Sequence, residues 1–260
     1  ALDFTGITVL VTGAASGIGA ALVRALDARG AHVVLADRNR AGADETAQSL
    51  RNPPLVIEAD LSQSGAAAGL IATAHDWRGR LDLVCSNAGM GRNKKLRNEK
   101  LDETATQLFE VNFHVGLRLA QTYFARMEET GQRGRIMFTA SENALSVPAA
   151  VKGSGLGLYA ASKHALLIAA EWLRDEYAGK HDIHVLLPGA VYTPLIARAL
   201  PDPAMAPPGL GLIMPDRCAE LALKGLELGL FYIPTHAHIA ADMQPRHDGM
   251  RDALKALGLG

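Results

Sequence analysis

The feature that most limits how this chain can fold is a regular alternation. Short β-branched apolar runs of strand length are each followed by a longer stretch of helical period. The series starts at Ile7 with ITVLVT, then IGAALVRALDARG, AHVVLAD and a polar helix to about Leu50. It continues through LVIEAD, a helix over about 63–77, LDLVCSNAG, one long helix over about 101–129, and RIMFTAS. A Gly-rich loop, a helix over about 156–177, IHVLLPG, a helix over about 215–228, the short strand LFYIP and a C-terminal helix to about Leu257 complete it. Strands that read as unbroken apolar runs belong in a parallel sheet covered on both faces. With right-handed crossovers, this predicts an α/β doubly wound, mostly parallel seven-stranded sheet, expected as one domain over 1–260.

The segment 194–215 breaks the rhythm with six prolines in PLIARALPDPAMAPPGLGLIMP. Its prolines forbid a long helix, and its Leu, Ile and Met are too many for a solvated loop. It reads as an apolar lid over a pocket, with an ordinary packed connection as the alternative.

Charge excludes some partners. Lys and Arg total 26 against 27 for Asp and Glu, so no basic field attracts nucleic acid or an anionic membrane surface. The expected partner is a small molecule. The two cysteines, Cys85 and Cys218, form no disulfide framework. No leader-like start and no apolar stretch of about 20 residues is present, so a cytoplasmic protein is expected.

Between the first strand and helix lies TGAASGIG. Gly13, Gly17 and Gly19 stand where the chain must turn tightly, approach a pyrophosphate and pack helix on sheet. The helix start, with Ser16 and Ile18, offers N–H groups to phosphate. An acid, Asp37, follows Gly19 by 18 residues at the end of the second strand run. There a carboxylate accepts the adenine ribose hydroxyls and repels a 2′-phosphate, so NAD is preferred. Arg38 directly follows and keeps NADP open as the alternative.

In LYAASKHA, Tyr159 and Lys163 stand at i and i+4 on one helix face. A phenol of pKa about 10 is a poor base near neutrality. An ammonium about 5 Å away at an effective dielectric near 20 favours the phenolate by about 3 kcal/mol, or about 2 pKa units. Such a tyrosine becomes a usable general acid/base. Alone, this pair is equally an ordinary surface pair; the glycine turn and the strand-end Ser141 raise it above that.

Together these residues resemble the short-chain dehydrogenase/reductase family over roughly 4–195. The matching motifs are TGAASGIG, Asp37, the Asp60–Leu61 pair, Asn87–Ala88–Gly89, Asn112, Ser141, the YxxxK of Tyr159 and Lys163, and Pro188–Gly189. The resemblance implies a Rossmann fold and direct hydride transfer between NAD and a secondary alcohol or ketone, without a metal. It implies that Tyr159 exchanges the proton with the substrate oxygen and Ser141 bonds that oxygen. Lys163 would hold the nicotinamide ribose, and Asn112 would fix a relay water. Asp60, Leu61, Asn87, Ala88 and Gly89 would line the adenine and ribose side, and Pro188, Gly189, Val191 and Thr193 the nicotinamide side. Homodimers or homotetramers are the family's usual assemblies.

The chain departs from the pattern in places. Ser141 and Tyr159 are 18 apart, more than the usual dozen, and Ser146 has the commoner spacing. Ser141 is preferred because it ends the apolar strand run, leaving 142–157 as a lengthened substrate loop. Leu195, Ile196, Leu200, Met205, Leu210, Leu212 and Met214 offer an adaptable apolar surface, which points to a bulky hydrophobic or aryl alcohol. His236, His238 and His247 lack a recognisable ligand spacing and read as incidental surface histidines. A non-redox member of the family, such as a dehydratase or epimerase, and a catalytically silent dinucleotide sensor are the competing functions.

Overall fold

The computed structural model describes residues 2–198 and 200–259; Ala199, within the expected lid, lies outside them. Seven strands form the sheet: β1 (Thr8–Thr12), β2 (His32–Asp37), β3 (Leu55–Glu58), β4 (Leu83–Ser86), β5 (Arg135–Thr139), β6 (Asp182–Leu187) and β7 (Tyr232–Pro234). Their order is β3-β2-β1-β4-β5-β6-β7, and every pairing is parallel. Strand order therefore reverses between β1 and β4. At such a point the connections leave in opposite directions and open a crevice beyond the strands' carboxyl ends.

The helices are α1 (Gly17–Asp27), α2 (Arg40–Gln48), α3 (Ala66–Asp76), α4 (Glu103–Phe109), α5 (Val115–Thr130), α6 (Gly157–Glu176), α7 (Pro194–Ala197), α8 (Pro215–Glu227) and α9 (His238–Ala256). Alternate residues of β1 serve opposite faces, as a strand's two-residue period requires. Leu10 joins the core with Leu70, Leu119, Phe124 and Leu166. Val9 and Val11 join the other, with Leu22, Leu26, Leu223 and Leu226. Both faces of β1 are sealed, which is why its sequence reads as one apolar run.

The single long helix expected over 101–129 is instead α4 and α5 joined by a π turn, Glu110–His114. Asp102 caps α4, its side chain accepting from Thr104 N and Ala105 N, and Gly131 ends α5 in the left-handed conformation at φ 65°. A π turn inserts one residue into the helical repeat and leaves the apolar period almost unchanged, so periodicity does not register it.

The segment 194–215 holds the short α7 and two three-residue 3-10 turns, tied down by a bridge between Val191 and Ile213. None of its described residues is buried. No helix among the described residues is long and apolar enough to cross a membrane.

Candidate active site

The crevice at the β1/β4 switch point is floored by the glycine turn. Gly13 and Gly17 have φ of 67° and 55°, in the left-handed region that glycine enters without strain. A Cβ on Gly19 would lie 2.0 Å from the Gly13 carbonyl oxygen. One on Gly13 would lie 2.9 Å from Ala88 Cα, and one on Gly17 3.1 Å from Thr193 Cγ2. Three separate stretches, the turn, the Asn87–Ala88–Gly89 run and Thr193, thus meet at van der Waals distance. Ser16 stands at the N-cap of α1 with an extended backbone and no side-chain capping bond, leaving the first-turn N–H groups of Ile18 and its neighbours without a side-chain acceptor.

Asp37 ends β2 facing this turn. Its Oδ2 accepts from Ala15 N at 3.0 Å and its Oδ1 from Asn39 N at 2.8 Å. Arg38 beside it is exposed. The Asp60 carboxyl is lowered, chiefly by the Ser62 hydroxyl, with Gln63 and the Arg38 charge adding to it. Leu61 is buried. Thr12 Oγ1 accepts from Asn87 N and Ala88 N, and Asn87 Oδ1 accepts from Thr139 Oγ1. The ends of β1, β4 and β5 are therefore laced into one frame.

Tyr159 and Lys163 project from successive turns of α6. Lys163 is buried, its Nζ donating to Thr139 O at 2.8 Å, and burial lowers its ammonium to about 8. A Cβ on Gly89 would sit 3.4 Å from that Nζ and 3.3 Å from Asn112 Oδ1, so the missing side chain leaves a gap against the ammonium. Spacing alone predicts a phenol lowered by Lys163. The structure instead raises Tyr159, because burial outweighs its hydrogen bond with Ser141 and the Glu142 charge pushes the same way. Lys163 donates one N–H to Thr139 O, and no hydrogen bond joins it to the phenol among the described residues.

The Ser141 hydroxyl acts on the phenol, lowering its pKa against the effect of burial. Its Oγ also accepts from Asn143 N and Asn143 Nδ2. Asn112, in the π turn and buried, accepts from Met90 N and donates to Met90 O and to Ser162 Oγ. Both Nδ2 hydrogens are spent, so its side chain clamps the loop after β4. Pro188 O accepts from Glu142 N, and Gly189 N donates to Thr235 Oγ1. Val191 is buried and Leu195 packs against Gly91, whose Cβ would lie 2.3 Å from Leu195 Cδ1.

Two of the three histidines read as incidental, His236 and His238, are not so placed, while His247 is exposed on α9. His238 Nε2 lies 2.7 Å from Oε2 of the buried Glu142, and His236 bridges Thr235 Oγ1 and Gly211 O. Sequence reasoning missed Glu142 and both histidines because 96 residues separate the partners and no local spacing joins them. The only local signal was an acid directly after a strand-end serine.

Comparison with known proteins bears on the family and the fold. The short chain dehydrogenase family model matches residues 7–203. The 1-deoxy-11-beta-hydroxypentalenate dehydrogenase of Streptomyces avermitilis is 37% identical over 236 residues, covering 88% of this chain and 84% of its own. The 2,5-dichloro-2,5-cyclohexadiene-1,4-diol dehydrogenase of Sphingobium indicum is 33% identical over 217 residues, covering 82% and 84%. Among solved structures, a Burkholderia phymatum short-chain dehydrogenase/reductase in complex with NAD superposes with a TM-score of 0.83 at 25% identity, over 96% of both chains. A Sphingobium yanoikuyae short-chain dehydrogenase in complex with NADPH superposes with a TM-score of 0.78 at 25% identity, over 96% of this chain and 95% of that one. The chain belongs to the short-chain dehydrogenase/reductase family.

Proposed function

We propose that the protein is an NAD-dependent dehydrogenase acting on a secondary hydroxyl of a bulky, apolar or aryl substrate, or on the matching ketone. One observation carries this reading. A buried ammonium with donor capacity left faces the gap at Gly89, one helical turn from a phenol on which a strand-end serine acts. That cradle fits a nicotinamide ribose beside a proton-transfer site.

Gly13, Ser16, Gly17, Ile18 and Gly19 would hold the pyrophosphate at the start of α1. Asp37 keeps acceptor capacity for the adenine ribose, since each oxygen takes one N–H where it can take two. Asp60, Leu61, Asn87 and Ala88 line the adenine and ribose side, and Pro188, Gly189, Val191 and Thr193 the nicotinamide side. When bound, NAD accepts or returns the hydride at its nicotinamide ring. Tyr159 takes the hydroxyl proton during oxidation and returns it during reduction, while Ser141 holds the substrate oxygen against it. Asn112 positions the Met90 backbone rather than touching the reacting atoms. The half-buried 194–215 segment, with Leu195 and Met205 exposed at 50% and 73%, supplies an apolar cover for a ring system. The exposed Ile168 and Trp172 of α6 support assembly as a homodimer or homotetramer.

The test is NADH formation across aliphatic, alicyclic and aryl secondary alcohols, repeated with NADP. Turnover with NAD on bulky rings is expected. A clear preference for NADP would show that Arg38 outweighs Asp37. Product formed without net NADH change would establish a non-redox reaction instead, and nucleotide binding without any product a sensing role.

A further inference from the structure

We propose that Glu142 receives a second hydroxyl of the substrate, which makes diols the preferred substrates of this site. The inference rests on the dehydrogenase reading above and deepens it.

A carboxylate offers about four acceptor positions and is expensive to bury with them unused. Glu142 is only 6% exposed. Its Oε2 is engaged by His238, whereas Oε1 has no hydrogen bond among the described residues and is not sealed from solvent. The group is therefore buried, held, and open at one oxygen. Its surroundings place the carboxyl group beside the reaction site. Glu142 directly follows Ser141, and its charge acts on the Tyr159 phenol. Its Oε2 lies 2.9 Å from where a Gly189 Cβ would stand.

The carboxylate is fixed from behind. Gly189 N donates to Thr235 Oγ1, and the hydroxyl in turn donates to His236 Nδ1. This leaves His236 Nε2–H to donate to Gly211 O at 2.8 Å. The chain ties the Gly189 loop to the apolar cover, and His238, at the start of α9, meets Glu142 two residues on. A carboxylate set this way accepts a neutral hydroxyl, and it repels a second carboxylate.

The chemistry balances with one hydroxyl spent. The reacting C–H gives its hydride to NAD, the O–H proton passes to Tyr159, and the carbon becomes a ketone. The second hydroxyl stays intact, donating to Glu142 Oε1, so a diol leaves as a hydroxyketone.

The test compares cyclohexanol with the 1,2- and 1,4-cyclohexanediols on the wild-type protein and on Glu142→Ala and Glu142→Gln, with circular dichroism to check folding. Wild type should prefer at least one diol by about tenfold or more in kcat/KM, because a site built to bond a hydroxyl rejects an analogue lacking it. Glu142→Ala should bring that ratio within about threefold, with Glu142→Gln between, since an amide oxygen still accepts. A wild-type ratio near one, or an equal loss for both alcohols in the variants, overturns the proposal and assigns Glu142 to holding α9. Should Glu142→Ala not fold, Glu142→Gln decides by the same ratio. If wild type oxidises no alcohol, the dehydrogenase reading itself fails. Calorimetric binding of cyclohexanediol and cyclohexanol to protein with NADH then reads the hydroxyl preference separately: a diol preference lost in the variants supports the Glu142 contact, and none overturns it.

Discussion

At Gly19 a single added methyl would land 2.0 Å from a backbone oxygen, whereas between 192 and 216 no described residue is buried at all. The two sides of the crevice follow different rules. On the nucleotide side, backbone packs on backbone, and nothing can shift without moving a strand end. On the covering side, apolar residues lie half-exposed on short turns and touch the frame at isolated points such as Leu195 on Gly91. Substrate preference can therefore change without disturbing the nucleotide side.

Tyr159→Phe tests where the two sides meet and should have the largest effect. It removes the proposed proton acceptor while leaving Lys163, Gly89 and the glycine turn untouched. Turnover should fall by about 10³-fold or more, with NADH affinity, read by fluorescence titration, within about threefold of wild type. Substantial retained turnover would mean that another group moves the proton.

Gly19→Ala should come next and strike the nucleotide side alone. The methyl has no flexible neighbour to displace, and overpacking of this kind costs about 1–3 kcal/mol. NADH affinity should drop by about 10- to 100-fold for every substrate alike, together with a lower Tm. A selective change among substrates would break the division drawn here.

This difference in packing also decides what was legible in the sequence. TGAASGIG, Asp37, Asn87 to Gly89 and the Tyr159–Lys163 pair could be read because each relies on short-range spacing along a strand end or helix turn. The sheet was legible because sealing both faces of each strand forces unbroken apolar runs. The π turn at Glu110–His114 was hidden because one inserted residue barely alters the apolar period. The direction of the Tyr159 shift was misread because spacing gives the reach of Lys163 but not its partner, the Thr139 carbonyl. Glu142 with His238 was illegible because tertiary folding alone unites them.

A pH profile probes the boundary from the covering side. On the proposed mechanism oxidation needs Tyr159 to accept a proton, so the rate should rise as pH climbs through its pKa. Burial raises that pKa first, and Glu142 adds to it. Glu142→Gln removes a negative charge that disfavours the phenolate, so the rising limb should move to lower pH. At a fixed pH on that limb this gives a several-fold higher rate with a simple alcohol. An unmoved limb would show that the Glu142 charge does not reach the phenol.

The smallest effect is expected from Leu195→Ala, and it is the most informative about the cover. Leu195 is 50% exposed, so truncation forfeits only part of a buried leucine's contribution, about 1 kcal/mol. Tm should fall by no more than about 3 °C. Because the lost contact lies on Gly91 rather than on the glycine turn, NADH affinity should stay unchanged. kcat/KM should fall about three- to fivefold for aryl alcohols and hardly at all for small aliphatic ones, since only a bulky ring reaches the cover. If small and bulky alcohols lose equally and NADH affinity falls with them, Leu195 belongs to the rigid side, and the cover is part of the nucleotide frame rather than a replaceable wall above it.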